Sequence, residues 1–483
     1  MAIILGSQSA AADAAYDVAN SCRFNKGDTA YMHKTTSAGN RKTWTYSTWF
    51  KRISLGTQVT FGLVQANTAN DNIMAVQIVA ANTMDIWDYN GGMSAQITTN
   101  RVFRDVGSWY HVVLAVDTTD STANNRMRLY INGVEERGAG GYSTDTMPAE
   151  DYTFNINVAD KALKLGVYDY GSVSSPADFY LAETVFIDGT QYAASDFGEF
   201  DEDSPTIWKP KDVSGLTFGT NGFYLDYEDS SNLGNDANGG TDLTEVSLAA
   251  ADQATDTPTN NFCTMNPLDN YYAASVFTEG MTHILTISGN AAYNPSTFAV
   301  KKGKWYFEVK LIADSVGDAQ EDVIIGISTE PATTAAINNG ALVYGVSPYG
   351  GLGIRGNGKM WAGTTETTGW ANIDVGDIVT IAVDFDNGKF YKGIDGTWGN
   401  SGDPTSGATG TGAYSFTVGT DDWFMGVNRR TTSATSTFGV NFGGSSGFAI
   451  SSAQADDNGY GTFEYDVPAG YYSLCTKNLA EFG

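Results

Sequence analysis

Three histidines, His33, His111 and His283, are the only imidazoles in the 483-residue chain, and they fall in three separate segments. A histidine that serves a nucleophile needs a serine or cysteine within hydrogen-bond reach and a third group to orient it. None of the three lies near a G-x-S-x-G or a comparable Ser or Cys motif. His111 sits in SWYHVVLAVDTTDSTANNRMRLYING (Ser108–Gly133) and reads as a residue on a strand. Paired carboxylates are the other catalytic device, because glycoside hydrolysis places two across the scissile bond. In Glu199-Phe-Asp201-Glu202-Asp203, an extended backbone would put Glu199, Asp201 and Asp203 on one face. That segment lies between DFG and SPT, where a loop is expected, and Phe200 is its one apolar residue. No catalytic residue is expected, and the chain reads as a non-enzyme.

Chemistry of binding has better candidates. A sugar ring is gripped by an aromatic platform with polar neighbours. DIWDYNGG (Asp85–Gly92) offers Trp87 and Tyr89 on one strand face, with Asp88 and Asn90 alongside. GVSPYGGLGIRGNGKMWAG offers Tyr349, Arg355 and Trp361, with Arg355 between nearby glycines the expected exposed contact residue. Asp117, Asp120, Asn124 and Asn125 cluster in one loop and carry the oxygens that calcium takes. Solvated turns share that composition, so no cofactor is expected and calcium is the one ion the loop would suit. NDANGG (Asn235–Gly240) lacks the D-x-D-x-D-G spacing and reads as a turn. Cys22, Cys263 and Cys475 are too few for a disulfide scaffold and too dispersed for a zinc site. FCTMNPL and LCTKNLA share Cys-Thr-x-Asn, as neighbouring edge strands would. They allow a Cys263–Cys475 bridge, although two buried thiols are the expected state.

Strands must position these groups. Charged residues make up 17% of the chain against 42% hydrophobic and 12% aromatic, with 55 glycines cutting alternating segments at short intervals. Thr43–Ile53, Gln58–Ala66, Ile73–Ala80, Thr83–Asn90, Lys161–Asp169 and Phe179–Gly189 all read as strands. Helical periods are confined to short pieces such as DAAYDVANSC and PATTAAINNG. Within the Ser108–Gly133 stretch, Tyr110, Val112, Leu114 and Val116 form an apolar face opposite Trp109, His111, Val113 and Ala115. The returning RMRLYING stops at Asn132-Gly133, a pair that tolerates the positive φ of a tight turn. The expected fold class is therefore all-β, with two β-sandwich modules joined by a polar, acidic connector. The first spans residues 1–227, the connector 228–270 and the second 271–483.

The W-Y-H-V strand, polar loop and L-Y-I-N-G hairpin resemble the laminin G-like, concanavalin A-like jelly roll, and FYLAETVFIDG resembles that family's last strand. The resemblance implies a lectin-like binding module. It also keeps glucanase chemistry in view, because that class contains glucanases. GKWYFEV, DVIIGIS and GDIVTIAVDFDNGKF resemble the SPRY domain, whose turn-rich surface grips partners. The second turn departs from that pattern, with Ile394-Asp395-Gly396 in place of the usual Asn-Gly. The order from NSCRFNKGDTAYM to DTPTNNFCTMNPL resembles structural and tail-fibre-type proteins of marine bacteriophages. That likeness implies a virion protein, made in the host cytoplasm and released by lysis. Its partners would be other virion proteins and host-surface carbohydrate or protein, as a fibre or adhesin, with a homo-oligomer left open. The alternatives are a capsid decoration or tail-assembly subunit without host contact, and a glycan-cleaving enzyme.

Charge narrows the partners further. Fifty-five acidic against 27 basic residues give a net charge of −28, which repels nucleic acid and anionic membrane surfaces. No run of 18 apolar residues would insert in a membrane. MAIILGSQSA has no basic n-region, so a secretory signal is not expected.

Overall fold

The computed structural model describes residues 16–68, 72–169, 172–269, 271–272, 275–287, 292–315, 322–329, 351–362, 365–429 and 434–483. These divide into two compact units, with the chain passing from one to the other between Asn261 and Phe262. The architecture is mostly β, of the concanavalin A-like sandwich type, with two large antiparallel sheets in each unit among the described residues.

In the first unit one sheet runs, in spatial order, Val134–Glu135, Met127–Ile131, Trp109–Asp117, Thr43–Arg52, Phe179–Asp188, Ser21–Phe24 and Gln253–Ala254. The other runs Tyr142–Thr146, Met93–Val102, Thr83–Asn90, Asn72–Ile78, Val59–Thr68, Lys161–Leu165, Tyr31–Thr36 and Thr244–Val246. Alternation along each strand sends every second side chain into the space between the sheets. There Tyr46, Phe50, Val112 and Leu114 of the first sheet meet Phe61, Val76, Ile86 and Ile97 of the second in one core. The helical period in DAAYDVANSC yields no helix among the described residues. Its end becomes the strand Ser21–Phe24, where Cys22 lies opposite Leu181 and both are buried. PATTAAINNG lies outside the described residues.

The segment with a connector's composition differs from a free linker. Up to Asn261 it is built into the first unit: Thr244–Val246 pairs with Tyr31–His33, and Gln253–Ala254 pairs with Ser21–Cys22. Beyond these strands, Asp256 is fully buried and accepts from Lys51 Nζ at 2.6 Å and from Trp109 Nε1 at 3.0 Å. Asn261 takes the same ammonium at 2.8 Å and donates to the Gly107 carbonyl at 2.6 Å. Backbone ladders, the Lys51–Asp256 and Arg23–Asp252 ion pairs and the buried side chains of Leu233 and Leu243 hold this segment.

In the second unit one sheet runs Tyr271–Tyr272, Ala292–Val300, Trp423–Arg429, Val323–Ser328, Gly351–Arg355, Met360–Ala362 and Thr365–Thr367. The other runs Val276–Thr278, His283–Leu285, Ser436–Asn441, Lys304–Asp314, Ile378–Asp384, Lys389–Ile394 and Thr397–Trp398. Trp305, Phe307, Val309 and Leu311 alternate into the core between them. At the second turn Asp395 and Gly396 have φ of 47° and 75°, so Asp-Gly supplies the two left-handed residues that Asn-Gly would. The C-terminal tail bridges back, Tyr472 against Trp305 and Cys475 against Phe262, before a short helix over Thr476–Phe482. Cys22, Cys263 and Cys475 are all buried free thiols.

Candidate functional site

His111 stands on the outer face of the first sheet, where a covering layer has closed over it. Its ring stacks on Trp49 at 4.7 Å between centroids and on Trp208 at 6.0 Å. Trp208 Nε1 donates to His111 Nδ1 at 3.0 Å, so the ring proton sits on Nε2 and is donated to Ser47 Oγ at 2.9 Å. A general base would have to accept from that serine. Burial pushes the imidazole down to about 3, and it stays neutral. His111 is a packing and hydrogen-bonding residue, as its strand position implies.

The carboxylate run also serves structure. Gly198–Phe200 is a short strand paired with Trp208–Pro210. Asp201 Oδ1 accepts from the backbone N–H of Asp203 and Ser204 at 3.0 and 2.9 Å, which builds the following turn. Those bonds and Lys209 hold its carboxyl below the usual range. Glu199 and Asp203 are exposed, and Glu199 lies 3.7 Å from the Lys209 ammonium.

In the Asp117–Asn125 loop the oxygens are likewise committed. Asp117 Oδ1 accepts from Thr43 and Thr119, and Asp120 accepts from the Thr122 N–H at 2.6 Å and from Asn125 Nδ2 at 3.1 Å. Asn124 is exposed. The guanidinium of Arg126 donates to the carbonyls of Asp120, Ser121 and Pro148 at 2.8, 3.1 and 3.1 Å. A built-in cation thus takes the carbonyls that a calcium loop would offer. Among the described residues no group of three or more His, Cys, Asp or Glu could hold a metal ion.

The outer face of the second sheet is different. Cross-strand register places Thr244, His33, Lys164, Val64, Ala75, Trp87, Gln96 and Thr146 in one row. Trp87 and Tyr89 lie half-buried over a floor of buried Val64, Ile73 and Ala75, with Tyr168 6.1 Å from Trp87 between ring centroids. Gln96 Nε2 and Thr98 Oγ1 both donate to Asp85 Oδ1, at 3.0 and 2.8 Å, along one flank. On the other, Lys164 pairs with Asp169, and its ammonium lies 5.5 Å from the Tyr31 ring centroid. Burial, then the Lys164 charge, lowers the affinity of His33 for a proton. The result is an aromatic surface rimmed by amide, hydroxyl and charged groups.

Two expected members of this site behave unlike the rest. Asp88 alternates to the inner face and is fully buried. It accepts from Tyr152 Oη at 2.5 Å, the Asn155 N–H at 2.7 Å and Asn155 Nδ2 at 2.9 Å. Burial pushes its carboxyl up to about 6 against the pull of those bonds. It braces the strand and does not face the platform. Asn90 is exposed at the turn that ends the strand.

Residues 25–164 match the concanavalin A-like lectin/glucanases superfamily of laminin G-type domains. The site strand Thr83–Asn90 and most of the second sheet of the first unit lie within that match. No curated protein matches the chain. Among solved structures, the human HERC1 SPRY domain is 14% identical and aligns over 36% of this chain and 96% of its own, with a TM-score of 0.29. A putative carbohydrate-binding protein from Bacteroides ovatus is 15% identical over 48% of this chain and 58% of its own, with a TM-score of 0.32. Mouse laminin α1 domains LG4-5 are 10% identical over 91% of this chain and 93% of their own, with a TM-score of 0.29.

In the second unit Arg355 differs from the exposed residue expected. It is 2% exposed, bonded to Glu366 Oε1 at 2.6 Å and 4.7 Å from the Trp361 ring centroid. The cause is register: Trp361 faces Gly353 on one side and Glu366 on the other, which closes both partners over the guanidinium. Trp361 is half-buried, and Tyr349 lies outside the described residues. Sequence reading missed Tyr168, Lys164, Asp169, His33 and Gln96 of the first-unit platform. They come from strands far apart in the chain, and only the cross-strand register joins them.

Proposed function

We propose that the chain is a lectin-like binding protein that holds carbohydrate on the Trp87–Tyr89–Tyr168 platform of its first unit. One observation carries the reading: aromatic rings stay half-exposed over a buried apolar floor on the outer face of one sheet, beside hydrogen-bonding Asp85, Gln96 and Thr98. A pyranose presents a weakly polar C–H face to stack on such rings and hydroxyls to pair with the rim.

In the finer reading the protein is a virion fibre or adhesin, made in a host cytoplasm, that contacts host-surface glycan. The order of segments resembling phage structural proteins supports this. A glycan array probed with the wild type and with Trp87→Ala is the test. Binding to a subset of glycans, reduced at least about tenfold in the variant at an unchanged unfolding midpoint, is expected. Equal binding by both proteins would sink the assignment. Immunogold labelling of particles tests the setting: label on fibres or the tail tip supports the adhesin, label over the capsid supports decoration, and no label removes the virion reading.

A further inference from the structure

The second unit carries a cavity that none of the candidates above uses. Its volume is about 450 Å³, and it lies between the turn at Gly396–Trp398, the loop at Gly402–Thr405 and the tail at Tyr465–Pro468. It sits at the margin of an outer aromatic layer in which Tyr306, Tyr391, Phe463 and Tyr471 are buried against Ala382.

Its walls are fixed from behind. Trp398 packs edge-on to Tyr306 and Tyr391, at 6.5 and 6.4 Å between centroids. Tyr471 Oη donates to the Pro404 carbonyl at 3.1 Å and so pins one wall. Tyr465 lies against Gly396 so closely that a β-carbon there would meet its ring at 2.6 Å, and its hydroxyl points to Asp395 at 3.4 Å. Two prolines, Pro404 and Pro468, stiffen the rim.

The electrostatics have one sign. The charged lining residues are Asp403 and Asp466, and no lysine, arginine or histidine lines the space. Asp403 Oδ1 is committed to Thr405 N–H and Oγ1 at 2.9 and 2.6 Å. No hydrogen bond among the described residues engages Asp403 Oδ2 or the Asp466 carboxylate. In the lining itself, burial, then Asp395 and Glu464, push Tyr465 up to about 12. Tyr306 and Tyr471 rise through burial, with Asp466 and Asp403 respectively among the further causes.

We propose that this cavity binds an alkylammonium group, primary or quaternary, its methylenes or methyls against Trp398 and Tyr465 and its charge answered by Asp403 and Asp466. Aromatic faces attract cations through their quadrupole, and an acidic cleft in an acidic protein concentrates them. Asp403 and Asp466 are exposed carboxylates, and a cation gains from their charge where a neutral ligand gains hydrogen bonds alone. The site is independent of the first-unit platform.

The test is calorimetric titration of the full-length protein with choline, with Nα-acetyl-lysine methylamide and with 3,3-dimethylbutan-1-ol, which copies choline's shape without its charge. Both cations should bind, and the neutral isostere about tenfold or more weaker. A preference for the lysine amide assigns the cavity to a protein lysine, and a preference for choline assigns it to a free quaternary amine. Asp466→Asn and Asp403→Asn, which keep shape and the Thr405 turn, should each weaken the cations several-fold at an unchanged unfolding midpoint. Equal binding of isostere and choline, no binding of either cation, or cation affinity unaltered in both variants overturns the proposal.

Discussion

His111 shows how one side chain is read differently by type and by setting. A histidine 2.9 Å from a serine has the composition of a catalytic pair, but the indole N–H on its other nitrogen fixes the tautomer the wrong way round. Its consequence is thermodynamic. The folded imidazole titrates near 3 and an unfolded one near 6.5, so the unfolded chain binds the extra proton between those values. The stabilisation is complete above about pH 6.5 and falls as pH drops toward 3, by roughly 2–3 kcal/mol at pH 4.5. Denaturant midpoints at pH 7.5 and 4.5 for the wild type and His111→Phe should show that share of the acid sensitivity missing from the variant. The variant should also be weaker at pH 7.5 by about 1–3 kcal/mol, because Ser47 and Trp208 lose their partner. Identical acid sensitivity in the two proteins would count against a neutral buried ring. Asp88, raised to about 6, has the opposite sign and contributes equally to both proteins, so the comparison cancels it.

Among the elements, the two sheets of the first unit are treated unequally. The outer face of the first is roofed by Trp208 and by Asp256–Asn261, while that of the second leaves Trp87 and Tyr89 half-exposed. The turn at Asn132-Gly133 serves the roof, since Gly133 has φ of 77° and a β-carbon there would lie 2.3 Å from the Trp208 ring. Gly91 has a similar φ of 67° with nothing within 4 Å. Gly91→Ala should therefore cost about 1 kcal/mol for backbone alone, and Gly133→Ala clearly more, measured by thermal unfolding. Equal losses would mean that Trp208 is free to move aside. Much at this scale was legible in the sequence. Alternation in TMDIWDYN puts Trp87 and Tyr89 on one face, although Asp88, expected beside them, turns inward, and Asn132-Gly133 announces its turn. The row through His33, Lys164, Trp87 and Gln96 was not legible, because pairing between distant strands leaves no mark in any one of them. Arg355 looked exposed for a related reason: its covering partners Trp361 and Glu366 come from the strands folded beside it.

For the chain as a whole, the reading of two β-sandwiches followed from strand patterning, but the polar segment after residue 227 did not look like part of one. Its contribution is two ion pairs, two short ladders and the separate leucines Leu233 and Leu243, which make no hydrophobic period. A fragment ending at residue 227 should fail to fold stably, since it loses the strands Thr244–Val246 and Gln253–Ala254, the core side chains Leu233 and Leu243, and the Asp256 partner of Lys51. A fragment ending at residue 261 should unfold cooperatively. Comparing the two by circular dichroism melts decides it, and two equally stable fragments would show the clasp to be dispensable. In Lys51→Met within the full chain, loss of the same ion pair should lower the first unit's melting point.

The same clasp brings the first described residues of this unit beside its last. The Val18 N–H donates to Thr259 Oγ1 at 3.0 Å, and Ser21 is the register partner of Ala254. A segment whose two ends touch can be spliced between neighbouring residues of another polypeptide without diverting that polypeptide's path. It also tolerates having its ends sewn together and a new opening cut at an exposed turn such as Gly215, around which there is open space. The unit thus has the geometry of an insertable domain, with entry and exit side by side.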